Sequence, residues 1–99
     1  MEIIREGKRV TVLTDRRIDT YSAPQFAETM EKALAGTEDL TLDFSDLDYI
    51  SSSGLRVVMR AVKAMNRQGQ MRIVNVGADI YDILETTGFT GICDIERKP

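Results

Sequence analysis

Three consecutive serines are the residues of this chain whose type and position could do chemistry. Ser51, Ser52 and Ser53 follow an apolar segment, and Gly54 and a run with helical periodicity come directly after them. A serine at the start of a helix commonly acts as a cap, because its oxygen accepts a hydrogen bond from a backbone N–H that has no partner within the helix. The spacing alone favours this interpretation.

The same position could also hold an anion. Unpaired N–H groups and the positive end of the helix dipole meet at the first turn, so a phosphate carried by a serine there would find hydrogen-bond donors in place. Phosphorylation adds about −1.5 to −2 charge. We expect the fold to tolerate this charge, whereas a partner whose surface covers the loop should not.

The surroundings of the serines argue against catalysis. A nucleophile elbow requires G-x-S-x-G, whereas Ile50 stands where the leading glycine of a motif centred on Ser52 would be. The chain has no histidine for a Ser-His-Asp system, and its one cysteine, Cys93, can form neither a four-thiolate zinc site nor an internal disulfide. We therefore predict no enzymatic activity, no cofactor and no metal site, and we interpret Cys93 as a small buried hydrophobe.

The composition indicates one soluble domain over residues 1–99. Hydrophobic residues make up 42% of the chain and charged residues 29%, and the net charge of −3 argues against a dedicated nucleic-acid binder. No apolar run approaches the roughly 20 residues that a transmembrane helix needs, and the N-terminal residues do not resemble a signal peptide. We expect a cytoplasmic protein without membrane or nucleic-acid partners.

The serines must be positioned by a strand before them and a helix after them. Alternation and helical spacing predict a hairpin around Gly7-Lys8 and a helix that begins at Ser22 with a Ser22–Gln25 capping box. The other predicted elements are strands at 40–44, 71–76 and 91–95, helices at 53–68 and 78–87, and a loop at 45–50. The strand 71–76 is nearly continuous in its apolar residues, which is typical of a strand covered on both faces.

This order of elements predicts an α/β domain. A helix between two strands is the natural crossover of a parallel pair, and the N-terminal hairpin would add to one edge of the sheet. The serine loop then lies beyond the carboxyl end of a strand, where α/β folds usually bind ligands.

The segment DFSDLDYISSSGLRVV resembles the signature of bacterial anti-sigma factor antagonists, whose fold is the STAS domain. Two further segments are similar to this family: Ile18-Asp19-Thr20 before the first helix, and ILETTGF at 83–89. They occur in order across nearly the whole chain. The resemblance implies a single STAS-like domain, with a mixed β-sheet of four to five strands and helices packed mainly on one face.

The family resemblance also implies a function by partner switching. Such a protein binds an anti-sigma factor that is also a serine kinase, and this binding frees a sigma factor. The kinase then phosphorylates a loop serine of its antagonist and releases it. A metal-dependent serine phosphatase restores the active form. The acceptor position falls on Ser52, with Ser53 and Ser51 as rivals. The partner-binding residues implied are Asp19, Thr20, Ser51, Ser53, Gly54, Leu55 and Arg56.

Some features depart from the family pattern or have a simpler explanation. Ser51 replaces the usual aspartate before the acceptor, and Arg16 replaces a glycine of the first motif. Asp19 could be a turn residue rather than part of a partner surface. Four basic residues recur at helical spacing and are most simply a solvated face: Arg56, Arg60, Lys63 and Arg67. The loop aspartates, Asp43, Asp46 and Asp48, are most simply turn and capping residues.

An alternative function keeps the fold without the switch. In that case the protein would be a constitutive scaffold or transport-accessory domain, and the serines would only cap the helix.

Overall fold

A five-stranded sheet forms one layer of the computed structural model, which describes residues 1–99. Its strands, in spatial order, are β1, β2, β4, β6 and β7, where β1 and β2 are antiparallel and all other neighbours are parallel. Their bounds are β1 Glu2–Glu6, β2 Arg9–Leu13, β4 Asp39–Asp43, β6 Gln70–Val76 and β7 Asp94–Arg97. The remaining two strands, β3 (Arg17–Ile18) and β5 (Tyr49–Ile50), form a separate parallel pair. The predicted mixed sheet and N-terminal hairpin are confirmed.

Three helices connect the parallel strands: α1 (Ala23–Leu34), α2 (Ser52–Gln68) and α3 (Ala78–Thr86). Each successive connection moves in the same direction across the sheet, and right-handed crossovers therefore place all three helices on the same face. None of these helices has the length and apolar character required to cross a bilayer.

The core lies between the helices and one face of the sheet. Alternate residues of the strands point into it, as Val10 and Val12 and Leu40 and Leu42 do, and all four are fully buried. The apolar face of α2 covers them with Val57, Val58, Ala61, Val62 and Met65, in a single cluster that also includes residues of α1 and α3. The helix predicted at 53–68 is thus confirmed. Its spacing predicts Leu55, Val58, Val62 and Met65 on one face, and of these only Leu55 is not fully buried.

The expectation that strand 71–76 is covered on both faces is wrong. Arg72 and Val74 lie on the helix-free face of the sheet, where the Arg72 side chain is 40% exposed. The apolar run is continuous for a different reason: β6 contains a bulge at Asn75, whose φ is 57°, and the extra residue returns Val76 to the core face beside Ile73.

The start of α1 also differs from the prediction. The Ser22 side chain caps no helix N–H; instead its Oγ accepts the backbone N–H of Asp19 at 2.9 Å. Asp19 is the capping residue, because its Oδ1 accepts the N–H groups of Tyr21 and Ser22, and its carbonyl accepts that of Ala23. The capping box of Ser22 and Gln25 is therefore wrong, because the turn that leads into α1 is capped by Asp19, three residues before Ser22.

The strand pair β3–β5 was not predicted, and it fixes the start of α2. The N–H of Ser51 donates to the carbonyl of Ile18 at 2.7 Å, which joins the two segments just before the helix. Gly54, in the first turn of α2, lies directly on this pair: a Cβ there would stand 2.7 Å from Ile18 and 2.8 Å from Ile50. Glycine is required here because of this close approach. The backbone conformation does not require it, since the φ of Gly54 is not positive.

The last strand begins three residues later than predicted. A 3₁₀ turn at Phe89–Gly91 precedes β7, so Cys93 lies between the turn and the strand. Burial, followed by the nearby charge of Asp94, raises the pKa of the Cys93 thiol to about 11. This agrees with the interpretation of Cys93 as a packing residue, because the thiolate is the nucleophile.

Substituting Gly54 with alanine should destabilise the fold. The added methyl would collide with Ile18 and Ile50, and overpacking of this kind costs about 1–3 kcal/mol, despite the higher helix propensity of alanine. Urea unfolding should show a lower midpoint with an unchanged m-value. Gly91→Ala is the matched control, because nothing lies within 4 Å of a Cβ at that position; equal midpoints for the two variants would contradict this packing.

Cys93 should react slowly with thiol reagents in the folded protein. With a pKa of about 11, its thiolate fraction at pH 8 is on the order of 100-fold below that of a free cysteine. Iodoacetamide labelling followed by mass spectrometry should therefore be slow in buffer, fast in urea, and faster as the pH rises towards 11. Equal rates in buffer and urea at pH 8 would show that the thiol is not perturbed.

Candidate functional site

The three serines lie at the start of α2 in three different environments. Ser51 is the N-cap: its side chain accepts the N–H of Gly54 at 3.2 Å, and the residue is only 8% exposed. Its carbonyl also accepts the N–H of Leu55, the first intrahelical bond. The capping role expected for one of the serines therefore belongs to Ser51.

Ser52 is the first residue of α2 and is exposed to solvent, whereas Ser53 is half-buried. Neither side chain makes a hydrogen bond within the protein, and the backbone N–H groups of both residues have no protein acceptor. These N–H groups lie at the positive end of a 17-residue helix. The most accessible hydroxyl of the three is thus also next to free donors.

The segment after β3 lies beside the segment after β5, because the two strands are parallel and in register, Ile18 opposite Ile50. Asp19 and Thr20 therefore come to the same edge as Ser51 and Ser52. Thr20 and Ser53 line one cavity of about 220 Å³ between the starts of α1 and α2, together with Arg56. The structure thus brings together residues that are more than 30 positions apart in the sequence.

Asp19 is held in place by the turn that it caps. Hydrogen bonds from the backbone of Ser22, above all, lower the pKa of its carboxyl group, and the N–H of Tyr21 and the charge of Arg17 act in the same direction. The lowered pKa means that the charged cap stabilises the fold above the usual pKa of an aspartate and is lost as the pH falls through the lowered value. Asp19 is thus charged at neutral pH and partly exposed.

The rim of the site contains residues that sequence reasoning did not single out. The guanidinium of Arg17 stacks over the ring of Tyr49 at 4.5 Å, and Tyr49 is 42% exposed. Tyr21 is 94% exposed in the turn after Asp19. An alternation rule cannot identify these residues, because β3 and β5 are two residues long. The position of Tyr49, two residues before the serine run, is the only signal that the sequence offers.

Arg16 holds the loop before β5. Its guanidinium donates to Asp48 at 2.9 Å, and its carbonyl accepts the N–H groups of Asp48 and Tyr49. No residue here has a positive φ, so the glycine expected at this position is not required by the backbone. Asp43 lies elsewhere, where it accepts hydrogen bonds from the Ser45 N–H and the Asn75 amide. Asp43 and Asp48 thus act as turn and pairing residues.

Two further residues of the site differ in exposure. Leu55 is half-buried and packs against the core cluster, while Arg56 is exposed. Arg56 lies four residues after Ser52, on the same side of the helix.

Comparison with known proteins agrees with this geometry. The family model described as STAS domain matches residues 3–98. The chain is 30% identical over 82 residues to the anti-sigma-B factor antagonist of Bacillus subtilis. This alignment covers 82% of this chain and 75% of the relative.

Solved structures show the same fold at lower identity. An anti-sigma-factor antagonist (STAS) domain protein from Planctomyces limnophilus superimposes with a TM-score of 0.88 at 15% identity, over 99% of this chain and 90% of that one. The Bacillus protein SpoIIAA superimposes with TM-scores of 0.76 in its unphosphorylated form and 0.75 in its phosphorylated form, at 12% and 13% identity. These alignments cover 99% and 95% of this chain and 87% and 88% of the solved chains.

The match along nearly the whole sequence, the five-stranded mixed sheet and the serine-bearing start of α2 lead to one conclusion: the chain belongs to the STAS domain family, among the bacterial anti-sigma factor antagonists.

Proposed function

We propose that the protein is an anti-sigma factor antagonist whose binding is switched by phosphorylation of Ser52. In the unmodified form it binds an anti-sigma factor that is also a serine kinase, and this releases a sigma factor. The observation that carries the proposal is the position of Ser52, an exposed hydroxyl on the first residue of α2 beside unpaired N–H groups. The protein acts as a binding module and as a substrate of the kinase, not as an enzyme.

Burial and hydrogen bonding favour Ser52 over its neighbours. Ser51 is 8% exposed and its oxygen is engaged in the cap, so a kinase would have to break the first turn to reach it. Ser53 is half-buried and faces the cavity between α1 and α2. Ser52 is the only one of the three that is exposed to solvent, so its hydroxyl is the most accessible to a kinase.

The phosphate would change the surface without changing the fold. It would lie at a helix N-terminus, where the dipole and the free N–H groups favour an anion. The SpoIIAA fold superimposes on this chain equally well with and without its phosphate. A partner packed against Ser52 would have to bury the added charge, and the cost of removing that charge from water opposes binding.

The contact surface that we propose surrounds Ser52. Asp19, Thr20, Ser53, Leu55 and Arg56 contribute side chains to it, while Ser51 and Gly54 contribute by holding the turn. A metal-dependent serine phosphatase would remove the phosphate and restore binding.

Ser52→Ala should bind the kinase and resist release by ATP, while Ser52→Asp should bind at least about tenfold more weakly than wild type. The alanine variant cannot accept a phosphate, and the aspartate places a charge where the partner packs. Isothermal titration with the anti-sigma serine kinase that co-purifies with this protein from its native cells, with and without ATP, measures both effects.

Ser51→Ala and Ser53→Ala are the matched controls. Both should remain phosphorylated at Ser52 in tandem mass spectrometry, although Ser51→Ala should lower the unfolding free energy by about 1 kcal/mol through loss of the cap. Phosphate found only on Ser51 or Ser53 of the wild-type protein would contradict the assignment.

The charge of Asp19 can be tested separately from its capping role. Asp19→Asn keeps an acceptor for the Tyr21 and Ser22 N–H groups, so the melting temperature should change little, whereas Asp19→Ala should lower it. If the carboxylate contacts the kinase, both variants should bind it more weakly. Full affinity of Asp19→Asn would show that Asp19 is only a turn residue.

A further inference from the structure

Helix α2 carries an isolated concentration of positive charge. It contains Arg56, Arg60, Lys63 and Arg67 and no aspartate or glutamate, in a chain whose net charge is −3. None of the four side chains has a carboxylate within 4.0 Å or donates a hydrogen bond to another part of the protein. We call these four residues the α2 basic row.

The other cationic side chains of the protein have partners, with one exception. Six form ion pairs: Lys8, Arg9, Arg16, Arg17, Lys32 and Arg72. Arg5 donates to carbonyl groups at the end of α1, and Arg97 stacks on the ring of Tyr81 at 3.9 Å. Only Lys98, after the edge strand β7, is also unpaired. The lack of partners is thus a property of α2 and not of the surface in general.

The α2 basic row is continuous with Ser52. At 100° per residue, Ser52 and the four cations fall within an arc of about 80° and extend over about 22 Å of the helix. This arc lies on the side of α2 away from the buried face formed by Val58, Val62 and Met65. The serine stands at the N-terminal end of the row.

A groove runs beside the row, between α1 and α2. Arg56 and Arg60 line the cavity that also contains Thr20 and Ser53. Arg60 also lines a more apolar part of the groove, together with Met30, Leu34 and other residues. Glu31 is the one carboxylate that lines the groove, and it forms no ion pair with Arg60. The groove therefore has an apolar floor and one basic wall.

We propose that the α2 basic row and this groove bind an acidic, amphipathic segment of the anti-sigma kinase. The occupant is identified by charge complementarity, because the row has no partners within the protein. It is also identified by continuity with the surface around Ser52, so this inference rests on the proposed function. The apolar face of the segment covers the groove floor, and its carboxylates pair with Arg60 and Lys63. Electrostatic complementarity of this kind accelerates encounter and fixes the register of the complex.

This surface also explains how one phosphate could release a large partner. A phosphate on Ser52 is four residues from Arg56, a spacing at which side chains on a helix meet. It adds a dianion to the end of the row, pairs with Arg56 and competes with the carboxylates of the partner. Phosphorylation then weakens the charge attraction along the row in addition to blocking close packing at Ser52.

Charge reversal of the row tests the proposal. Arg60→Glu and Lys63→Glu should each weaken binding of the unphosphorylated protein to the kinase by about tenfold or more and make the affinity less dependent on NaCl concentration. Isothermal titration at several NaCl concentrations measures both effects. Lys98→Glu is the matched control, because it makes the same charge change at an exposed, unpaired cation outside the row, and its affinity should stay within about twofold of wild type.

The outcomes separate this inference from the proposed function. If the wild-type protein does not bind the kinase, both fail. If it binds and the two reversals have no more effect than Lys98→Glu, the proposed function stands and the docking surface is wrong. If the reversals instead abolish binding to phosphatidylglycerol vesicles and leave the kinase affinity unchanged, the row is a lipid-binding surface and the proposal is overturned. Thermal unfolding of each variant verifies that the fold is retained.

Discussion

The contact between Gly54 and the isoleucines of the β3–β5 pair is the constraint on which the site depends. Because Gly54 has no side chain, the first turn of α2 can lie directly on Ile18 and Ile50. The hydrogen bond from Ser51 to the carbonyl of Ile18 fixes the same junction from the backbone side. Two strands of only two residues each thereby determine where the helix begins and which residue precedes it.

This junction divides three chemically identical hydroxyls into different roles. Ser51 is turned inward and caps the helix, Ser53 faces the cavity next to α1, and Ser52 remains on the surface. The division follows from the helical geometry, since successive residues of the first turn point in directions about 100° apart. A run of serines can therefore contain one hydroxyl that caps the helix and one that is exposed, without any difference in residue type.

Sequence patterns predicted the large elements well, because helical spacing and strand alternation report directly on which residues are buried. The pattern of Val58, Val62 and Met65 and that of Leu40 and Leu42 are examples. The patterns failed where local geometry depends on distant residues. Neither β3 nor β5 is long enough to show a period. The sequence pattern predicts Ser22 as the cap of α1, although Asp19 supplies it, and the apolar run of β6 reflects a bulge. The cations of α2 are visible in the sequence, but the sequence does not show that they lack ion-pair partners, because the partners of the other cations depend on the fold.

We propose that a charge on Ser52 changes what the protein binds and leaves its fold intact. The most direct measurement is a comparison of the unmodified protein with protein carrying phosphoserine installed at position 52 during translation, by ¹H–¹⁵N NMR and by affinity for the anti-sigma kinase. We expect shift changes confined to the start of α2 and the segment after β3, together with a large loss of affinity. Shift changes spread through the core, or unchanged affinity, would contradict it.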